Sequence, residues 1–439
     1  MKKILLFFGL IVFTVGCSTK KNGALNRAYH STTSKFNPLF NGEEALRYGV
    51  LDITQKKQDN YWLRLSVDPY DLPDPYSYEE ITNEFFDRAE EKAILTVQKH
   101  SMLINGEQRN KQIAKAYLLL GKARYFNGRY LQAVEAFTYI IKNMSDSSEA
   151  IEAELWRTKS YLEMGQNGRA ARELTNISAS ATLTSAQYAA VQAARADALL
   201  REEKDTLATQ PLMLALATEK SAAKRGRYAY LLGQVYDDLE YADSAMVAYG
   251  QVLDLNRRVP RELWIHARLA QLRNNTPKDE ETLKAYRKLL RSDEDRRFRD
   301  KIHYFYGAYL LKGADTLNGE KALNASLKTD TQDRYLKSLI YEQLAANRMD
   351  QVAFVTAGAY LDSTLQNLEE KTRRYRKLNR QRKKLDDIIS YEKTIAETDS
   401  LLTLMRMNPD EQKQVVNEYI DKLKKEKAQA EALAKKGDL

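Results

Sequence analysis

Apolar residues recur along this chain at the three- and four-residue spacing of amphipathic helices, and the helices come in pairs. The clearest pair reads AYLLLGKARYFNGRYLQAVEAFTYIIKN, with a turn at Gly128. Gly121 on its first helix and Ala133 on its second lack bulk, so the two helices can approach closely. Leu120 and Phe137 are expected to fill the seam between this pair and its neighbours.

A second pair, YAYLLGQVYDDLEYADSAMVAYGQVLDLN, matches the first position by position, and two weaker pairs lie between them. The four predicted turns, at Gly128, Gly165, Glu202 and Glu240, are 37, 37 and 38 residues apart. This spacing is close to the period of about 34 residues in tetratricopeptide repeats. The sequence therefore predicts an all-α fold, a right-handed solenoid of tetratricopeptide-type helix pairs. A non-repetitive helical bundle is the alternative.

Less regular helix pairs follow at 262–290, 298–327 and 333–361, so we expect the solenoid to span 79–365. Beyond it, residues 366–439 are expected to form charged helices partly detached from the repeats.

The segment before the solenoid, 17–78, is expected to hold one helix and a proline-rich loop. Asn41 and Glu44 have the spacing of a capping box, with Asn41 as the N-cap of that helix. The loop follows because prolines at positions 69, 73 and 75 exclude a continuous helix.

Basic residues are concentrated in the run KTRRYRKLNRQRKK, which has nine of them in fourteen positions. Such a run could meet acidic partner surfaces or anionic head groups. The favoured interpretation is a solvated helix face from which Leu378 and Leu385 point inward. Further on, Met407-Asn408-Pro409-Asp410 interrupts the helical pattern before a last charged helix.

The chain begins with two lysines and an apolar run that ends at Cys17, the only cysteine. The run is too short to span a bilayer, which takes roughly 20 residues, and has the length of a signal-peptide core. Thr14-Val15-Gly16-Cys17 resembles a bacterial lipobox, although Thr14 departs from the usual Leu or Val. We therefore expect residues 1–16 to be a lipoprotein signal peptide and Cys17 to carry the lipid. An ordinary secretory signal is the alternative.

Export and lipidation set the expected location. The residue directly after Cys17 is Ser18 and not Asp. By analogy with lipoprotein sorting, this favours an outer-membrane anchor facing the periplasm. The net charge of +9 is mild for 439 residues and falls to +7 without Lys2 and Lys3, so nucleic acid is not an expected partner.

No catalytic or cofactor pattern is found. The four histidines are scattered without a second metal ligand at suitable spacing, and there is no glycine-rich phosphate loop or nucleophile elbow. We expect a protein that is not an enzyme and that holds neither a metal nor a cofactor.

Partner contacts are expected on the first helices of the pairs, which line the concave side of a tetratricopeptide solenoid. Most tyrosines there are expected in the core, and the rest are candidate peptide anchors because Tyr joins apolar area to a polar tip. The candidate contact residues on these helices and in the segment after the lipid site are Phe36, Phe40, Lys122, Tyr125, Tyr230, Gln234 and Asp237.

Five short motifs have Asp, then Ser or Thr, then an apolar residue or Thr. This pattern resembles a periplasmic O-glycosylation signal. It also suits helix starts and turns, so both interpretations stay open. The candidate acceptors are Thr206, Ser244, Thr316, Ser363 and Ser400, of which Thr316 ranks first because Gly313 and Gly319 predict an exposed turn around it.

Three stretches together resemble the type IX secretion and gliding-motility lipoproteins with tetratricopeptide repeats (PorW/SprE-like). They are AYHSTTSKFNPLFNGEEAL, HSMLINGEQRNKQIAKAYLLLGKARYFNGRYLQAVEAFTYII and AYLDSTLQNLEEKTRRYRKLNRQRKKLDDIISYEKTIAETDSLLTLMRM. The resemblance implies a non-enzymatic periplasmic scaffold that links the outer-membrane translocon to ring or motor components. Relatives often continue past the third stretch, which puts in doubt any function held in that extension.

Two other classes of lipoprotein remain as alternatives. A carbohydrate-uptake (SusD-like) helical lipoprotein would need exposed tryptophans and a loop-rich substrate domain, whereas this chain has three tryptophans and no long inserted loop. A tetratricopeptide lipoprotein of outer-membrane barrel assembly would share the anchor, the compartment and the repeats.

Overall fold

The computed structural model describes residues 18–74, 83–180, 183–329 and 331–437, and over these the protein is built almost entirely of helices. The first three are α1 (Ala24–Ser34), α2 (Phe40–Lys56) and α3 (Glu84–His100). A two-residue β-hairpin follows, with β1 (Leu103–Ile104) antiparallel to β2 (Glu107–Gln108). None of the helices in these ranges is long and apolar enough to cross a bilayer.

The repeating helix pairs begin at α4. The next nine helices are α4 (Gln112–Phe126), α5 (Tyr130–Asn143), α6 (Ala150–Glu163), α7 (Asn167–Ser178), α8 (Ser185–Arg201), α9 (Asp205–Thr218), α10 (Ala222–Asp238), α11 (Ala242–Asp254) and α12 (Arg261–Asn274). Each helix from α4 to α12 packs against the next, as in a solenoid of helical hairpins. The predicted all-α tetratricopeptide-type fold is confirmed.

The chain divides into two compact units with the boundary between Asn275 and Thr276. This boundary falls inside the segment 79–365 that was predicted as one solenoid. The helices of the second unit are α13 (Glu280–Arg291), α14 (Arg299–Lys312), α15 (Thr316–Lys328), α16 (Arg334–Asp350), α17 (Phe354–Gln366), α18 (Arg373–Lys383), α19 (Asp386–Arg406) and α20 (Pro409–Gly437). Within it, α14 pairs with α15 and α16 with α17.

A residue with positive φ marks the turn after each first helix. The left-handed residues at these turns are Gly128, Gly165, Glu203, Glu240, Lys278, Ala314 and Val352. The four predicted turns are confirmed, and in the third, at Glu202–Glu203, the left-handed residue is Glu203. The repeat also continues at the same spacing beyond the predicted four, because Lys278, Ala314 and Val352 adopt the conformation that glycine usually supplies.

Glycines let the helices of a pair come into contact. A Cβ at Gly121 would lie 2.3 Å from the Phe137 ring, and one at Gly233 would lie 2.5 Å from the ring of Tyr249. Phe137 and Tyr249 therefore lie over the glycine of their own pair. The ring of Phe137 takes up the space that the missing side chain of Gly121 leaves, and it belongs to a buried cluster that also includes Phe86 of α3 and Ala153 of α6.

The N-terminal segment holds two helices, so the prediction of one was wrong. A π-helical turn (Lys35–Leu39) that contains Pro38 joins α1 directly to α2. A wide turn accommodates a proline, which has no N–H to donate and clashes with a regular helix. Asn41 consequently lies inside the helix, where its Nδ2 donates to the Asn37 carbonyl at 2.8 Å. The predicted capping box does not form.

The favoured interpretation of the basic run is confirmed in α18. Leu378 and Leu385 are buried together with Ile389, and they pack against a core that includes Leu361 of α17. The neighbouring basic side chains mostly face solvent.

Candidate functional site

A segment without helix or strand, residues 57–74, turns at 60–63 and crosses the face formed by the first helices α4, α6, α8 and α10. We call the segment the strap and this face the inner face. The strap belongs to the core, because Leu65 and Val67 are buried among side chains of α8, α9 and α10. Lys57 closes its base by donating to Asp71 Oδ1 at 2.8 Å and to the Tyr70 carbonyl at 3.4 Å.

The inner face holds residues 63–66 of the strap by their backbone. The Leu65 amide donates to Gln234 Oε1 at 2.9 Å, and Gln234 Nε2 donates to the Leu63 carbonyl at 2.8 Å. Arg227 donates to the Ser66 carbonyl at 2.7 Å. These hydrogen bonds all go to main-chain N–H and C=O groups, so this face is able to bind an extended chain.

Side chains add ion pairs at the tip of the strap. Arg64 forms a two-pronged pair with Asp205, at 2.7 Å on both oxygens, and also donates to Asp238. The Tyr61 ring stacks on the His266 ring with centroids 4.5 Å apart. The strap is therefore fixed by side chains from three successive helix pairs.

The return limb of the strap, residues 67–74, carries a half-buried ion pair. The carboxylate of Asp68 lies 2.6 Å from the Lys159 ammonium group. Burial acts to raise the pKa of Asp68, but Lys159 outweighs it and holds the pKa below its ordinary value. Farther along, the Tyr130 hydroxyl donates to the Pro73 carbonyl at 2.6 Å.

A groove of about 640 Å³ remains open between α2, the return limb and the inner face. The indole of Trp156 lines it, with the ammonium groups of Lys122 and Lys159 at 5.2 and 5.0 Å from the ring centroid. Glu43 lines one wall, where burial raises its pKa. The groove thus combines aromatic area with charges of both signs, which suits a short stretch of polypeptide.

Asp197 also lines the groove. Burial raises its pKa to about 6, against the opposing effect of Arg201, whose Nε donates to it at 3.0 Å. A carboxyl group of this kind is a candidate for function, but structural ion pairs give the same shift. In the described ranges no group of three or more His, Cys, Asp or Glu side chains could hold a metal ion.

The structure separates the predicted contact residues into three groups. Tyr125 and Tyr230 are almost fully buried, the latter beneath the strap, so their assignment as partner contacts was wrong. Gln234 binds the strap, and Asp237 accepts hydrogen bonds from Tyr249 and Asn274 within the repeats.

The third group consists of side chains that a partner can reach. Lys122 lines the open groove, where it pairs with Glu152. Phe36 in the π turn and Phe40 at the start of α2 are both more than half exposed. Cys17, the predicted lipid site, lies outside the described residues.

All five candidate glycosylation acceptors lie on helices. Thr206, Ser244 and Ser400 are exposed, whereas Thr316 and Ser363 are half-buried. Thr316 is the first residue of α15, capped by Asp315, so the exposed turn predicted around it is wrong. The Asp205 carboxylate of the Thr206 motif is held by Arg64.

Sequence reasoning missed a buried histidine pair. The Nδ1 atoms of His30 on α1 and His100 on α3 lie 3.1 Å apart. Burial lowers the pKa of His100, and the neighbouring His30 ring lowers it further. Asn110 Nδ2 donates to the His100 carbonyl at 3.0 Å and joins the pair to the β-hairpin segment. No signal at the sequence level links residues 70 positions apart.

No protein-family model matches the chain. A search of curated proteins likewise gave no match.

Solved structures that resemble the chain are helical-repeat proteins of low identity. A tetratricopeptide repeat protein from Parabacteroides merdae is 12% identical over 60% of this chain and 96% of its own, with a TM-score of 0.39. The apo form of RapI is 14% identical over 58% and 97%, with a TM-score of 0.37. Human IFIT1 in a dimer with m7Gppp-AAAA is 11% identical over 69% of each chain, with a TM-score of 0.34. Scores this low carry no functional argument, and the fold rests on the helix pairs themselves.

Proposed function

We propose that this protein is a scaffold that binds an extended segment of a partner protein in the groove beside the strap. The observation that carries the proposal is the way Gln234 holds the backbone of Leu63 and Leu65. The inner face already binds the main chain of one non-helical segment, and the groove continues that face past Lys122 and Trp156. An extended peptide is the shape that fits such a surface.

The setting we propose is the type IX secretion and gliding machinery. The support is the resemblance of the three sequence stretches, together with Phe36 and Phe40 of the first stretch, which are exposed for docking. The protein would be anchored through Cys17 in the outer membrane and face the periplasm. It would link translocon and ring or motor components by protein contacts, without catalysis.

A groove-filling variant tests the binding site. Ala186 lines the groove and is exposed at the start of α8, so Ala186→Trp adds bulk to the groove at little cost to the fold. Ala242→Trp is the matched control, because Ala242 is exposed at the start of α11 and does not line the groove. In a strain that lacks the protein, wild type and Ala242→Trp should restore secretion of type IX cargo, while Ala186→Trp should not.

The assay also separates the competing classes of lipoprotein. Normal cargo secretion in the deletion strain, with a growth defect on one polysaccharide, would favour carbohydrate uptake. Loss of assembled outer-membrane barrels would favour barrel assembly. Full rescue by Ala186→Trp would remove the groove from the proposal while leaving the secretion role standing.

The anchor has its own test. Cys17→Ala should abolish incorporation of a lipid label and release the protein from the outer-membrane fraction. Unchanged labelling and recovery would contradict the lipoprotein assignment.

A further inference from the structure

Helix α19 carries an apolar stripe that the second unit does not cover. Its members recur at alternating spacings of three and four residues, the pattern of a coiled-coil seam. They are Ile388, Tyr391, Ile395, Leu402 and Met405, with Thr398 completing the series. All five large side chains are exposed, Ile395 to 61% and Met405 to 76%.

Helix α20 carries a matching stripe. Val416, Tyr419 and Leu423 have the same spacing and are also exposed, Tyr419 to 61%. A helix whose apolar face meets water gains nothing from packing that face. These two stripes therefore have the character of surfaces that become buried in an assembly.

Three consecutive positions of the α19 stripe pair with the three of α20 in antiparallel register. When Ile395 is set opposite Tyr419, Tyr391 falls opposite Leu423 and Thr398 opposite Val416. Beside the seam, the same register sets Asp399 of α19 opposite Lys413 of α20, an attractive pair. Pairing α20 in parallel with another α20 would instead place Lys422 against Lys427, which repels.

The link between the two helices works against their folding onto each other. Asn408 caps α20, with its Oδ1 accepting from the Asp410 and Glu411 amides at 3.1 and 2.9 Å. Gln412 Nε2 donates back to the carbonyls of Leu404 and Met407, each at 3.1 Å. These bonds span the break and hold the helices in the arrangement that leaves both stripes exposed.

We propose that the chain forms a dimer in which α19 of one copy packs antiparallel on α20 of the second copy, and the reverse. The two seams are identical and related by a twofold axis, so the assembly closes after two chains. The partner that covers each stripe is a second copy, because this chain itself carries the complementary stripe and the complementary charge. Within one copy, the link keeps α19 and α20 apart.

The first experiment measures mass in solution. The full mature chain with Cys17→Ser, which removes the lipid site, is examined by sedimentation equilibrium at tens of micromolar. We expect twice the chain mass for this protein, a monomer for Ile395→Asp, and a dimer for the control Ser400→Asp, whose side chain lies off the stripe. A monomeric parent protein, or a dimeric Ile395→Asp variant, would overturn the proposal.

The second experiment separates a second copy from closure within one chain. The same protein has no remaining cysteine, so the pair Ile395→Cys and Tyr419→Cys reports only this contact. On mild oxidation we expect a disulfide-linked dimer, and none for the outward-facing pair Lys393→Cys and Glu418→Cys. A disulfide within a single chain would show a closed hairpin, and no disulfide would show no contact; either result contradicts the dimer.

Discussion

Arg227 and Asp59 form a two-pronged ion pair, with Nη1 and Nη2 at 2.7 and 2.9 Å from the two carboxylate oxygens. The residues are 168 positions apart, and the arginine is almost fully buried. The pair fixes the beginning of the strap on α10. Because the guanidinium also donates to the Ser66 carbonyl, one side chain holds the strap on both sides of its turn at 60–63.

Arg227→Lys should destabilise the first unit by roughly 2–3 kcal/mol. A lysine keeps the charge but loses the planar fork, and the half-buried carboxylate of Asp59 is then poorly paired, which is costly. Urea unfolding followed by tryptophan fluorescence is the measurement, since all three tryptophans (Trp62, Trp156 and Trp264) lie before Asn275. Arg257→Lys, at an exposed site, is the control. Equal stability of both variants would mean that the strap does not depend on this pair.

Asp197→Asn should stabilise the first unit at pH 7.5 but not at pH 4. The folded-state pKa of about 6 lies above the ordinary value of 3.8, so the fold favours the protonated form. The stability that Asp197 contributes to the fold is therefore fully present below pH 3.8. It is lost as the pH rises through 6, by on the order of 2 kcal/mol. Arg201 keeps Glu163 as a partner at 2.8 Å.

Unfolding of wild type and variant across this pH range tests the prediction. The control is Asp243→Asn, at an exposed position on α11. A constant difference between wild type and Asp197→Asn at all pH values would contradict the assignment of the shift to Asp197.

Gly121→Leu should destabilise the first helix pair by about 1–3 kcal/mol through overpacking. The new Cβ would lie 2.3 Å from the Phe137 ring, which must move. The double variant with Phe137→Ala should lose less stability than the sum of the two single losses, because the two residues share one space. Gly168→Ala is the control, since its Cβ would meet only the flexible ends of Glu202 and Arg172. Additive effects of Gly121→Leu and Phe137→Ala would show that the two do not touch.

Val352→Gly should stabilise the second unit by roughly 1 kcal/mol. Val352 has φ of 61°, a conformation that costs an L-residue about 1–2 kcal/mol and a β-branched one at least as much. Its side chain is 67% exposed, so removing it sacrifices little packing. Hydrogen exchange of the α16 and α17 amides measures the change. Ala353→Gly, at the next position, should destabilise, and a destabilising Val352→Gly would contradict the strain argument.

The helix pairs and most of their turns could be predicted because their signals are local. Gly121 and Gly233 allow close contact between the helices of a pair, and Gly128 supplies the positive φ of a turn. Such positions recur at a fixed spacing along the chain. The later turns were harder to recognise, because Lys278, Ala314 and Val352 adopt a positive φ there. None of these residue types favours that conformation. There the neighbouring helices impose the conformation on the residue.

The sequence by itself determined the all-α repeat and the inward direction of Leu378 and Leu385, because helical periodicity separates buried from solvated positions within one element. The tertiary structure alone decided what lies on the inner face. The polar and proline-rich composition of the strap is that of any surface loop, and only its contacts with Arg227 and Gln234 make it part of the core. Ion pairs and backbone hydrogen bonds across more than 150 residues have no period, so a single sequence leaves no trace of them.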